Sequence, residues 1–154
     1  MRTFYQFVNS KKRRNGLARI IKTGSAGKDR LLLEKGIVIA IRELAKQTST
    51  DKTTNDLVAF VAISLIAIGD TIDESVVAWE KRGYWVKADK YRMEWSWTTR
   101  MGEDLKNAAI NDDWGKVAQI TAQVAQKMSK VNVSPRNRLG TPWVGAWERL
   151  IRPN

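Results

Sequence analysis

Apolar residues recur at helical spacing along most of the chain, and no run alternates with period two for long enough to predict a strand. The clearest pattern lies in the middle. Leu57, Phe60, Val61, Ser64, Ile68, Ile72, Val76 and Trp79 share one helical face, and Thr53 or Thr54 stands where a cap belongs. Lys81 and Arg82 complement the negative end of that helix, and Gly83 suits the left-handed residue just beyond it. Before it, over about residues 28–47, Leu33, Ile37, Ile41 and Leu44 form the apolar face, and Lys35, Arg42 and Lys46 a polar stripe. After it, residues 84–110 read as one long helix with Tyr84, Ala88, Tyr91, Trp95, Gly102, Leu105 and Ala109 on a common side. Asp112 or Asp113 then caps a helix carrying Trp114, Val117, Ile120, Thr121, Val124 and Met128, which stops near Lys130.

The ends carry shorter patterns. Thr3 precedes Phe4, Phe7 and Val8 at i, i+3 and i+4, and Leu17, Ile20 and Ile21 share a face ahead of Gly24. All three prolines fall in the last segment, where Thr141-Pro142 resembles a cap followed by a first-turn residue, ahead of Trp143, Trp147, Leu150 and Ile151. The expected fold is all-α: an antiparallel bundle of about four main helices with short helices at both termini. At 154 residues the chain has room for one core. We divide it into a basic N-terminal arm (1–30), a bundle core (31–130) and a Pro- and Trp-containing C-terminal segment (131–154). The longest apolar run, residues 57–68, is closed by Gly69 and Asp70, short of the roughly 20 residues that span a bilayer. It predicts a buried helix, no membrane partner and a cytoplasmic location.

Composition narrows the chemistry. The chain has no cysteine and no histidine, which removes disulfides, thiolate metal sites, the usual general base and the usual metal ligand. We therefore expect no enzyme, no cofactor and no metal. Charge adds more. Residues 1–30 hold nine Lys or Arg against Asp29 alone, +8 of the chain's net +11. Residues 31–130 balance 14 bases with 14 acids, and residues 131–154 set four Arg against Glu148. Excess charge confined to the ends of a neutral body is an electrostatic footprint for an anionic partner, most commonly nucleic acid. The same run also suits an arm that docks on an acidic protein surface. Residues 1–28 contain no acid, a composition shared with organelle transit peptides. We expect the arm to be retained and restrained by packing or by a partner.

Several local matches fail on spacing or context. Gly24-Ser25-Ala26-Gly27-Lys28 is too short for a phosphate-binding Walker loop and has Asp29 where Ser or Thr is required. As a GXXG it lacks the sheet of a KH domain, so a hinge at a helix start is the better reading. Asp70, Asp73, Glu74 and Glu94 bring no Glu-x-x-His, and salt bridges with Lys81, Lys87, Lys90 or Arg92 are expected instead. Asn132-Val133-Ser134 is an accidental glycosylation match. Of seven tryptophans, Trp79, Trp95 and Trp114 continue the apolar faces of their helices. Trp97 lies about 200° round from Trp95 and forms a second stripe with Met93 and Met101, which predicts a protein interface or a stacking platform.

The segment Arg13-Arg14-Asn15-Gly16-Leu17-Ala18-Arg19, near the start of a small, basic, helical chain, resembles the small subunit of multisubunit CRISPR effector complexes. The resemblance implies a non-catalytic bundle stacked in more than one copy along a guide-RNA filament, supporting the target or displaced strand, with Arg13, Arg14 and Arg19 as backbone contacts. From the charge, the phosphate-contacting set is Lys11, Lys12, Arg13, Arg14, Arg19, Lys22, Lys28 and Arg30. The expected function is nucleic-acid binding without sequence specificity, DNA or RNA, within a ribonucleoprotein assembly that includes other protein subunits. The alternative is a protein-interaction or scaffold bundle that uses its Trp-rich face and docks its arm on a partner.

Overall fold

The computed structural model describes residues 25–152, and all regular structure among them is helical. The short N-terminal helices expected before Gly24 lie outside these residues. Helix α1, Ala26–Leu44, begins where Ser25 Oγ accepts the Lys28 N–H, with Asp29 in its first turn. Helix α2, Lys52–Lys81, is capped by Asp51, whose Oδ1 accepts the Thr54 N–H at 3.0 Å. That bond holds the Asp51 carboxyl below the usual carboxylate range. Thr54, one of the two caps expected, turns back instead and donates its hydroxyl to the Ser49 carbonyl at 2.6 Å. The other end is as expected. Gly83 sits at φ +81°, and the Gly83 and Tyr84 amides reach back to the carbonyls of Glu80 and Trp79.

Helix α2 is the axis of the bundle. Nearly every residue from 57 to 68 is buried on it, because α1 and the later helices surround it. It is long and apolar enough to span a bilayer, yet 83% of its most apolar window is covered by the rest of the protein.

The predicted helix over residues 84–110 divides into α3, Trp85–Trp95, and α4, Trp97–Ile110. Among the described residues this raises the count of main helices to five. The cause is local. Ser96 and Thr98 hydroxyls donate to the Met93 and Trp95 carbonyls, at 3.1 and 2.9 Å, competing with the helical ladder at the joint. Ser96 itself keeps right-handed helical dihedrals, so the chain bends without making a loop. Helix α4 then crosses α2 at close range. A Cβ on Gly102 would meet the Ala62 carbonyl oxygen at 3.0 Å and the Ile66 amide nitrogen at 3.1 Å, so glycine there is a condition of the crossing.

Helix α5, Trp114–Lys127, is capped by Asp113, while Asp112 takes the left-handed conformation and accepts the Trp114 indole N–H. It packs on α4 and only grazes α1. Between α1, the start of α2 and α5 lies an apolar groove of about 330 Å³ bordered by Ile41, Val58, Trp114 and Val117.

Helix α6, Ala146–Ile151, returns the C-terminal segment to α2. Thr141-Pro142 does not cap it. The capping oxygens come from Asp56 on α2, which is buried and accepts the Gly145 and Trp147 amides at 3.2 and 3.0 Å.

Candidate nucleic-acid interface

Helices α1 and α2 form an antiparallel hairpin through residues 45–51, so the start of α1 and the last turns of α2 share one end of the bundle. Helix α3 runs back along α2 from that end. An aromatic stack ties the three together. The Trp79 and Tyr91 rings meet edge to face at 4.8 Å, Tyr91 lies 6.2 Å from Trp95, and the Arg30 guanidinium sits over both Tyr91 (5.3 Å) and Trp95 (5.9 Å). Burial raises the Glu34 carboxyl above its usual range, with the positive charge of Arg30 opposing it. Burial likewise raises the Tyr91 phenol, against the same arginine.

This arrangement separates the basic residues expected to meet phosphate. Lys28 is exposed in the first turn of α1. Arg30 is half-buried on its aromatic bed, where it clamps α1 to α3. Lys11, Lys12, Arg13, Arg14, Arg19 and Lys22 lie outside the described residues.

The stripe of Met93, Trp97 and Met101 is unequally exposed. Met93 is 78% exposed, whereas Trp97 and Met101 are half-buried against the core, with the Lys127 ammonium 5.6 Å from the Trp97 ring centre. Trp79, Trp95 and Trp114 pack against the core as their periodicity predicts. Trp143 is buried and Trp147 half-buried.

Arg92, one of the bases expected to pair with the acids of α2, does so with Glu80. The described ion pairs of Arg92 are with Glu80 (2.8 Å) and Asp89 (3.1 Å), both at the surface. Among the described residues, no group of three side chains suited to a metal ion gathers.

Sequence reasoning missed the surface at the α2–α3 corner. Tyr84 was expected on the inner face of a long helix, but it precedes α3 and is 54% exposed. Trp85 is 60% exposed and Val86 84% exposed, and Trp85 is the one tryptophan of the seven that stays at the surface. Around them, residues 81–92 hold five bases against Asp89. Arg92 is engaged with Glu80, and Lys87 covers Trp79 at 4.4 Å. Lys81, Arg82 and Lys90 remain exposed to solvent. The signal was present in the run Lys81-Arg82-Gly83-Tyr84-Trp85-Val86-Lys87, since a helix stop followed at once by aromatics leaves no neighbour to cover them.

Comparison with protein-family models, curated proteins and solved structures finds no match to this chain.

Proposed function

We propose that this chain is a non-catalytic, nucleic-acid-binding helical subunit of a ribonucleoprotein assembly, one that grips the phosphate backbone without choosing sequence. The carrying observation is the charge distribution: nine bases against one acid in residues 1–30, attached to a body whose residues 31–130 are neutral. Dense lysine and arginine without a structured groove-reading element supply affinity, while sequence choice belongs to a guide strand or another subunit. The likeness of residues 13–19 to CRISPR small subunits points the same way. The absence of histidine and cysteine supports a role in binding over one in catalysis.

The test is a salt titration of oligonucleotide binding. Replacing Lys11, Lys12, Arg13 and Arg14 with Ala should flatten the log–log salt dependence by roughly 0.7 to 0.9 per lost phosphate contact. A quadruple variant with an unchanged slope overturns the assignment of these residues.

A second reading, a protein-interaction bundle, is favoured by one observation. Beside the groove along α5 lies a second hollow of about 210 Å³, which shares Ile41 and Ala125 with it and is lined by Val38, Met128 and Val131, a surface suited to a partner segment. Co-purification of a protein partner that survives nuclease treatment and high salt would support it over the first.

A further inference from the structure

We infer that the corner between α2 and α3 is a stacking site for single-stranded nucleic acid, in which Tyr84 and Trp85 meet bases and Lys81, Arg82 and Lys90 hold the flanking phosphates. The inference rests on the nucleic-acid reading above and specifies the strand state it takes. Two aromatic residues adjacent in the chain and each more than half exposed are costly to leave in water without use. Each is within a few residues of a lysine or arginine, and local charge is positive because only Asp89 opposes five bases between residues 81 and 92. Rings interleaved with cations are the pattern by which proteins hold unpaired strands: every base offers a π-face, and every linkage a phosphate. A duplex hides its base faces and has no use for such rings.

The topology strengthens the assignment. Tyr91 lies under Arg30, five residues along the chain from Ser25, and six residues along α3 separate Tyr91 from Trp85, about 9 Å of helix rise. The corner and the root of the basic arm therefore occupy the same end of the bundle. A strand held beside Lys28, in the first turn of α1, lies at the same end of the bundle as the rings.

The alternative anionic surface, a lipid bilayer, fits less well. Trp85 and Val86 lie about 100° apart round α3 and Tyr84 precedes it with non-helical dihedrals, so the three do not form one apolar face. The buried side of α3, with Ala88, is turned into the bundle.

The experiment uses the full chain, with fluorescence anisotropy of labelled oligouridine, oligothymidine and a mixed-sequence duplex, and tryptophan quenching as a second readout. Single strands should bind more tightly than the duplex. Trp85→Ala should weaken single-strand binding about tenfold, leave duplex binding unchanged and abolish most of the quenching, while Trp85→Phe retains much of the affinity. Lys81→Ala combined with Arg82→Ala should lower the salt slope for single strands by about 1.5. Because Trp85 is exposed, circular dichroism and the melting temperature of Trp85→Ala should match the parent, which excludes misfolding as the cause. If Trp85→Ala leaves strand binding intact while the Lys11–Arg14 variant loses it, the corner is no site and the arm reading survives. If the parent chain binds no oligonucleotide at low salt, both readings fall. A blue shift of Trp85 emission on phosphatidylserine vesicles, with no response to oligonucleotides, would replace this inference with a membrane contact.

Discussion

Replacing Asp56 with Ala probes a long-range polar clamp in the bundle, between α2 and the start of α6. Asp56 is 4% exposed on α2, and its two carboxylate oxygens accept the Gly145 and Trp147 amides, 89 and 91 residues away in sequence. Each hydrogen bond to a charged acceptor contributes about 1.5–3 kcal/mol, and removing the acceptor strands two amides in a part-buried site. Part of that gain is offset in the parent by the desolvation of the carboxylate. We therefore expect Asp56→Ala to cost about 3 kcal/mol. Asp56→Asn keeps one acceptor oxygen and should cost about half as much, near 1.5 kcal/mol. Urea unfolding followed by both far-ultraviolet circular dichroism and tryptophan fluorescence measures it, because Trp143 and Trp147 flank the clamp. If α6 detaches before the bundle melts, the fluorescence transition will precede the helical one, and the two midpoints will separate. An Asp56→Ala protein within about 0.5 kcal/mol of the parent, with coincident transitions, would refute the clamp.

Other substitutions test the packing and the electrostatics. Gly102→Ala should destabilise by about 1–3 kcal/mol, since its Cβ meets the backbone of α2, which cannot move without opening the crossing. Gly69→Ala should be near neutral in the same assay, because its Cβ meets the Thr99 hydroxyl, which can rotate away, and alanine recovers about 1 kcal/mol of helix propensity. Trp97→Ala should cost about 2 kcal/mol of folding stability, less than full burial would imply, whereas Trp85→Ala should cost almost none; equal costs in urea unfolding would contradict the burial pattern. Glu34 has a carboxyl raised by burial, so the folded state binds its proton more tightly than the unfolded chain does. Its contribution is most favourable below the unfolded value and is lost as pH rises through the raised folded value. Glu34→Gln should flatten that limb of the stability–pH curve, and a curve unchanged in shape would remove Glu34 as its source.

The helical class and the bodies of the main helices followed from periodicity alone, because an apolar face repeated every 3.6 residues has no stable alternative to helix packing. So did the stop at Gly83 and a cap at Asp112 or Asp113, of which the structure uses Asp113; both depend on residues adjacent in the chain. The break at Ser96 was harder to read, since the apolar face of residues 84–110 continues across it while hydroxyl side chains compete for the ladder. Asp56 could not be recognised as the cap of α6 at all: nothing near either residue marks a bond spanning 91 positions, and only the packing of α6 against α2 creates it. Burial was decided in the same way. The pattern puts Tyr84 on the inner face and Trp97 on a second stripe, yet Tyr84 lies beyond the end of α2 and is more than half exposed, while Trp97 rests on the core. Local sequence determines where helices form and end; which of their faces meets solvent depends on the neighbours that the fold brings or withholds, and so the exposed aromatic corner emerged only when α3 was seen folding back along α2.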